Sequence, residues 1–392
     1  LLGGLIGTAN GWLLANCRFP GRRFLKIAQL LPLATPAYLL SATLIDLGSI
    51  NSVRIYGMSW GVIVMSLTTY PYVFLLSTES FSICGKRQLE ACRSLGVGPW
   101  RSFLRIGLPM AIPAIGAGIA LMGMEVVNEL GAVQLLNIPS ISAGIVENWI
   151  ANGNPSGAIC LAIIGLGIVL ALISYEKHLR HKSRRWTDGV AGGEAPAWRL
   201  KGVRAIAAQT ISLIPPLFTM GTPLIWTIEN TEQITKGLDK ELFLLTIRSL
   251  GLGLLAACFA VVAALLLTIA KRWNASQWMK ALSFFSGIGY AIPGAVIALA
   301  LFRFGGAPWK FGPLFLLLWG YSYKFLAVAK AGLDAAFERL PPSLDEAASG
   351  LGCEWKEVLR RVHIPLLKGP LRVGALLVFV DTIKELPLSF IL

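Results

Sequence analysis

The feature that most constrains this chain is a series of long apolar segments. A helix needs about 20 mostly apolar residues to cross the roughly 30 Å hydrocarbon core of a bilayer. Because lipid offers no partner for a backbone amide, such segments are expected to be helical. Ten segments reach this length or are cut off by a chain end, at 1–16, 27–48, 57–77, 110–136, 157–175, 205–228, 242–270, 280–303, 311–333 and 367–392.

The composition supports a membrane protein, since 55% of the 392 residues are hydrophobic and only 14% are charged. The formal net charge is +14, but the basic residues lie in short stretches between apolar segments, so we expect membrane lipid and not nucleic acid as the partner. Of 35 Lys and Arg residues, 25 lie in alternate loops, which the positive-inside rule places in the cytoplasm. Both chain ends fall inside apolar segments, so we expect truncation at each end.

The longest polar stretch, 176–204, is rich in Lys, Arg, Gly and Ala and is predicted to be a basic cytoplasmic linker. It divides an all-α, polytopic membrane protein into two predicted transmembrane domains, 1–175 and 205–392. The six cysteines have no C-x-x-C spacing, and the three histidines lie in basic or interhelical segments. The sequence therefore indicates no metal site with a defined ligand set.

An internal repeat appears when the chain is shifted by 256 residues. Glu90 then aligns with Glu346, and the register holds without a gap to Glu129 and Glu385. Each copy predicts two short surface helices, the first ending at a glycine that can adopt the left-handed conformation. Other matched pairs are Ala91 with Ala347, Gly96 with Gly352, Ile106 with Val362, Pro109 with Pro365, and Glu125 with Asp381.

Each copy contains the pattern E-A-x-x-x-x-G-x9-hydrophobic-x-hydrophobic-P, which resembles the EAA loop of type I ABC importer permeases. We call 90–109 and 346–365 the first and second EAA segments. Cys92 and Val362 depart conservatively from the usual alanine and isoleucine. The matching residues are Glu90, Ala91, Gly96, Ile106 and Pro109 in the first copy and Glu346, Ala347, Ala348, Gly352 and Pro365 in the second.

The resemblance implies a MetI-like fold with two domains related by a pseudo-twofold axis, in a multi-pass protein of the bacterial inner membrane. It implies that each EAA helix couples to a cytoplasmic ABC ATPase, so that one chain engages two ATPase subunits. A separate periplasmic or lipid-anchored protein is expected to deliver the substrate. The strings R-F-P-G-R-R at 18–23 and K-E-L-P-L at 384–388 most resemble ferric iron permeases, although thiamine, polyamine and other small-solute importers share much of this plan.

Four carboxylates recur within the predicted spans, in the pairs Glu125 with Glu129 and Asp381 with Glu385. Spacing of one helical turn predicts that the two members of a pair face the same way. One hypothesis is that all four line a translocation pathway for a hard, highly charged cation, which prefers oxygen ligands. The alternative, held equally, is that they pair with Lys384, Arg248, Lys324 or helix N-termini and only stabilise helix packing.

The sequence contains no G-x-x-x-x-G-K-[ST] loop, so ATP and Mg²⁺ are expected on the partner ATPase, and this chain is expected to hold no cofactor and to catalyse no reaction. A secondary transporter is a rival interpretation, but its repeats would carry no EAA segment. An intramembrane enzyme is a weaker rival, because no nucleophile or metal dyad is visible within the spans.

Overall fold

The computed structural model of the protein describes residues 1–83, 94–184, 198–237, 239–273, 276–303, 312–337, 340 and 343–392. These residues form two compact units, Leu1–Lys236 and Gly237–Leu392. Strand structure in the described residues is confined to one parallel pair of two-residue strands, β1 at Cys17–Arg18 and β2 at Trp198–Arg199. The fold is all-α, as predicted.

The helices of the first unit, in chain order, are α1 Leu2–Asn16, α2 Arg22–Ala28, α3 Ala37–Ile50, α4 Met58–Ile83, α5 Pro99–Ser102, α6 Leu108–Asn128, α7 Gly131–Leu135, α8 Ile141–Val146, α9 Pro155–Arg184, α10 Val203–Glu229 and α11 Thr231–Lys236. Short 3-10 or π segments lie at Leu31–Ala34, Phe103–Gly107 and Glu147–Ala151. Helix α4 packs between α1 and α6, and α6 also packs against α9.

The helices of the second unit are α12 Lys240–Trp273, α13 Gln277–Ile288, α14 Gly294–Leu301, α15 Pro313–Phe337, α16 Ser343–Gly350, α17 Trp355–Val358, α18 Ile364–Ile383 and α19 Pro387–Ile391. A 3-10 turn lies at Gly289–Ala291, and a π segment lies at Leu359–His363. Helices α12, α15 and α18 pack against one another, and α14 packs against α15 and α19.

Six helices of the described residues are long and apolar enough to cross a membrane, and the bent pair Arg22–Ala34 and Ala37–Ile50 makes a seventh when it is counted as one span. Two of the ten predicted segments are interrupted in the structure. Segment 27–48 bends by 88° before α3, and segment 280–303 is broken between α13 and α14. Pro36 and Pro293 stand directly before the second helix in these two places. A proline has no N–H and disfavours helical backbone at the residue before it, which explains both breaks.

Close helix packing in the first unit depends on glycine. A Cβ on Gly7 would lie 2.7 Å from the Tyr70 carbonyl oxygen and 2.8 Å from the Phe74 amide nitrogen. A Cβ on Gly118 would lie 2.7 Å from the Val73 Cα atom. Helices α1 and α6 therefore approach the backbone of α4 more closely than any larger residue would permit.

Helix α10 belongs by sequence to the predicted second domain, but it packs within the first unit. Gln29 Nε2 donates to the Ser212 carbonyl oxygen at 2.5 Å, and Trp226 Nε1 donates to Asp46 Oδ2 at 2.5 Å. The strand pair also joins the end of the predicted linker to residues 17–18 of the first unit. The compact units thus divide after residue 236, whereas the predicted domains divide at 176–204. The domain assignment itself stays a prediction.

Candidate functional site

The described parts of the two EAA segments, and the residues that follow them, adopt matching elements at the spacing of the repeat. The pairs with identical spacing are α5 with α17, the π segment Phe103–Gly107 with Leu359–His363, and α7 with α19. Gly96 and Gly352 both have positive φ, at 70° and 81°. The repeat inferred from the sequence is therefore also present in the backbone of each unit.

The second EAA segment begins on α16, which ends in a glycine turn as predicted. The Cys353 amide donates to the Ala348 carbonyl oxygen at 3.1 Å, across Gly352 in the left-handed conformation. This is the hydrogen bond of a Schellman motif, in which glycine is favoured because it lacks a Cβ. Of the first EAA segment, Glu90 and Ala91 lie outside the described residues, so the matching helix of that copy is not compared.

The helix that follows each glycine turn is continuous with a span, and this corrects the prediction of a separate second surface helix. Backbone from Pro99 to Asn128 is helical throughout, with a π segment at Phe103–Gly107 just before Pro109. Backbone from Trp355 to Ile383 repeats this pattern before Pro365. Proline cannot donate to the carbonyl four residues earlier, and a wider π turn accommodates its ring without ending the helix.

The α16 residues of the second EAA pattern are not all at the surface. Glu346 and Ala347 are exposed, but Ala348 is buried within the chain. Two large apolar side chains are exposed instead at matched positions, Leu351 at 85% and Leu95 at 79%. Each leucine directly precedes the positive-φ glycine. The repeat alignment already paired these leucines, but only the structure shows that both point away from the chain.

Asp345, directly before Glu346, joins α16 to α12 and to the π segment Leu359–His363 of the second unit. Its Oδ2 accepts from Arg272 Nε at 2.6 Å, and its Oδ1 lies 2.7 Å from His363 Nε2. Burial opposes ionisation of Asp345, but the hydrogen bonds from His363 and Arg272 and the charge of Arg272 outweigh it and lower the pKa of the carboxyl. The carboxylate is therefore the stable form at neutral pH.

The four membrane carboxylates lie near the C-terminal ends of α6 and α18. Glu125 and Asp381 lie on α6 and α18, but Glu129 and Glu385 lie just beyond the ends of these helices. That Glu125 and Glu129, or Asp381 and Glu385, face the same way stays a prediction. A break before α7 and before α19 ends each helix in the same way, which the spacing alone does not indicate.

Three of these carboxylates have contacts of the kind that the packing alternative proposes. Glu129 Oε1 accepts from the Ala132 amide at 3.0 Å, at the N-terminus of α7. Asp381 Oδ1 lies 2.9 Å from Lys384 Nζ. The most buried pair is Glu385 with Lys324, at 2.7 Å, with 10% and 5% of the side chains exposed. A pathway role for Glu125, Glu129, Asp381 and Glu385 stays a prediction.

Gly294 provides the space for the buried pair of Glu385 and Lys324. A Cβ at Gly294 would overlap Glu385 Oε1 and would lie 3.0 Å from Lys324 Nζ. Glu385 Oε1 itself has no hydrogen-bond partner among the described residues. The repeat aligns Tyr38 with Gly294 and Thr68 with Lys324, so the first unit has no ion pair at the matching positions.

Within the described residues, no group of three or more His, Cys, Asp or Glu side chains is arranged to hold a metal ion.

Comparison with known proteins agrees with this architecture. A family model described as "Binding-protein-dependent transport system inner membrane component" matches residues 7–185 and 250–389, which is most of the chain. No solved structure matches.

Three relatives illustrate the range of similar proteins. The Fe(3+)-transport system permease protein FbpB 2 of Haemophilus influenzae is 27% identical over 409 residues, covering 99% of this chain and 77% of that protein. The sulfate transport system permease protein CysT of Escherichia coli is 33% identical over 146 residues, 34% of this chain and 52% of that protein. The molybdenum transport system permease protein ModB of Escherichia coli is 29% identical over 192 residues, 43% of this chain and 82% of that protein.

The family match covers both EAA segments. It also covers four of the six candidate spans completely and most of Lys240–Arg272, but not Val203–Glu229. The chain therefore belongs to the binding-protein-dependent transport system inner membrane components, the multi-pass permeases of type I ABC importers, which have the MetI-like fold.

Proposed function

We propose that this permease moves ferric iron from an external binding protein to the cytoplasm by ATP-driven alternating access. The observation that carries the choice of substrate is the similarity, over 99% of the chain, to a permease named for Fe(3+) transport. The membrane carboxylates are compatible with this proposal, because oxygen ligands suit a hard cation.

The proposed motor is a pair of cytoplasmic ABC ATPase subunits, one at each EAA segment. Support comes from the exposed Leu95 and Leu351, which present matched apolar contacts beside the two glycine turns. Exposed Glu346 and Ala347 extend this surface along α16. ATP and Mg²⁺ are held by the ATPase subunits in this proposal, since the chain has no phosphate-binding loop of the G-x-x-x-x-G-K-[ST] type.

A small oxyanion is the second candidate substrate. Relatives named for sulfate and molybdenum transport share 33% and 29% identity over parts of the chain. The buried Lys324 lies 2.7 Å from Glu385 and offsets the charge of that carboxylate, so this pair offers a trivalent cation no net attraction.

The substrate is tested with the permease and its ATPase in liposomes, by adding external binding proteins and measuring ATP hydrolysis. We expect a binding protein loaded with Fe³⁺ to stimulate hydrolysis, while the same protein without iron stimulates it less. Stimulation by a sulfate-, molybdate-, thiamine- or polyamine-loaded binding protein, with none by the ferric one, would contradict the ferric proposal. Whichever binding protein stimulates hydrolysis, copurification of the ATPase with the permease would still support the proposal that ABC ATPase subunits are its partners.

The glycine turns provide a test of ATPase docking. Gly352→Val and Gly96→Val force a β-branched residue into the left-handed region, at a cost of roughly 1–2 kcal/mol each. Nothing lies within 4 Å of a Cβ at either position, so the cost comes from backbone strain and not from a clash. We expect the amount of copurified ATPase to fall by about tenfold.

Two control variants separate this strain from a change in side-chain size. Gly352→Asn adds a side chain that tolerates the left-handed conformation, and should retain most of the bound ATPase. Gly98→Ala adds a Cβ in open space close to the first turn, at a residue without positive φ, and should retain all of it. Equal binding by the valine and asparagine variants would contradict the proposed role of the glycine turns.

A further inference from the structure

In their described residues, the two EAA segments contact the rest of their own units by different chemistry. In the second unit the attachment is a cluster of Arg272 on α12, Phe337 on α15, Asp345 on α16 and His363, which we call the Asp345 cluster. Arg272 Nη1 also donates to the Phe337 and Leu340 carbonyl oxygens, both at 3.2 Å. The rings of Phe337 and His363 meet edge to face at 5.2 Å, and His363 is 1% exposed.

In the first unit the matched attachment is aromatic. The Trp12 ring lies 5.5 Å from the Phe81 ring and 4.9 Å from the Phe103 ring, measured between centroids. A Cβ on Gly107 would lie 3.2 Å from the Trp12 ring, so the small residue leaves room for it. We call Trp12, Phe81, Phe103 and Gly107 the Trp12 cluster.

The repeat shows that the two clusters occupy equivalent places. Phe81 corresponds to Phe337 and Gly107 to His363. The remaining members of the Asp345 cluster have neutral counterparts, Asn16 for Arg272 and Leu89 for Asp345. Among the residues that the structure describes, this attachment is therefore ionic in the second unit and aromatic in the first.

This difference matters for force transmission. Hydrogen bonds between ionised groups are short, directional and about twice as strong as neutral ones. Removing one partner leaves the other charge partly buried and uncompensated, so such a contact fails with the loss of one group. Aromatic packing is spread over many weak contacts and has no single group of this kind.

We propose that Arg272, Asp345 and His363 are positioning residues that transmit movement of an ATPase bound at α16 to α12 and α15 of the second unit. The first EAA segment transmits movement to its own unit by the packing of the Trp12 cluster. This inference rests on the proposed ATPase docking, but it goes further by assigning the connection inside the permease and by making the two halves unequal.

The test uses one reporter cysteine in each unit, in a chain whose six native cysteines are replaced by alanine. Gln134→Cys on α7 and Phe390→Cys on α19 are matched by the repeat, and both native residues are exposed. The permease is reconstituted with its ATPase in liposomes. The rate of maleimide labelling at each reporter is measured with and without ATP and vanadate, together with the amount of bound ATPase.

With native Arg272, we expect nucleotide to change the labelling rate at both reporters. In Arg272→Gln, the nucleotide response of the Phe390→Cys reporter should fall about tenfold, while that of the Gln134→Cys reporter and the amount of bound ATPase stay unchanged. Asp345→Asn, which keeps the shape of the side chain, should give the same result. Arg272→Lys retains the charge but not the guanidinium geometry, so its loss should be smaller.

The control is Lys271→Gln, which removes the same charge from the next residue of α12. Lys271 is 44% exposed, and its paired carboxylate is Asp334 at 3.8 Å and not Asp345, so both reporters should respond as with native Arg272. A full response at the Phe390→Cys reporter in Arg272→Gln and Asp345→Asn would overturn the inference, as would equal losses at both reporters. Absence of bound ATPase in the unmutated complex would overturn the proposed docking instead, and this inference with it.

Discussion

Replacing Lys324 with methionine is expected to destabilise the permease by about 3–5 kcal/mol, because it leaves a buried carboxylate without its cation. Lys324 and Glu385 are 2.7 Å apart, and their side chains are only 5% and 10% exposed. Glu385 Oε1 already lies against Gly294 of α14, so the side chain cannot move further toward that helix. The measurement is unfolding of the purified protein in detergent micelles. Lys271→Met, at a side chain that is 44% exposed, is the control and should cost about 1 kcal/mol or less.

The double variant Lys324→Met with Glu385→Met distinguishes the two hypotheses for Glu385. Removing both charges should restore most of the stability, since apolar residues of similar size replace a buried ion pair at little cost. If Glu385 serves only in helix packing, this stable double variant should also transport at the unmutated rate. If Glu385 lies on the pathway, it should be stable but inactive. A single Lys324→Met variant as stable as the unmutated protein would contradict the importance of the pair.

Replacing Glu125 and Asp381 together with glutamine and asparagine is expected to reduce iron uptake to the level of liposomes without permease. The amides keep the size and hydrogen-bonding ability of the carboxylates but remove two negative charges from α6 and α18. A trivalent cation is stabilised mainly by charge, so its passage should be lost while the fold persists. Uptake of radioactive iron by reconstituted liposomes measures the effect.

The control for this double variant is Glu147→Gln, which removes a charge from an exposed residue of the π segment after α8. It should transport normally. The amount of ATPase bound to each variant is measured in parallel, so that a loss of uptake is not confused with a loss of assembly. Uptake by the Glu125→Gln and Asp381→Asn variant at the unmutated rate would remove these two carboxylates from the pathway.

The ends of the spans were less predictable than their existence. Apolar composition alone located six helices that can cross a membrane and the region of the bent pair before α3. It did not locate the breaks at Pro36 and Pro293, because hydropathy averaged over about 20 residues does not register one missing N–H. The same averaging joined α6 to α7 across the extended residue Glu129.

The EAA segments were more predictable than the rest of the candidate site. Their glycine turns could be predicted because glycine, which has no Cβ, adopts positive φ readily, and both Gly96 and Gly352 have positive φ in the structure. Which side chains face outward depends on the contacts made by neighbouring elements. Ala348 is buried and Leu351 is exposed on adjoining turns, and nothing in their apolar character separates them.

By itself the sequence determined an all-α membrane protein, the repeat, and the two EAA segments, since each of these depends on composition or on residues close together in the chain. Only the tertiary structure decided which groups meet across elements. Lys324 and Glu385 are 61 residues apart, and Arg272 and Asp345 are 73 apart, and neither pairing follows from periodicity. Ion pairs of this kind form where packed helices bring two charges into the same low-dielectric space. The difference between the two attachments of the EAA segments was therefore visible only once the helices were packed.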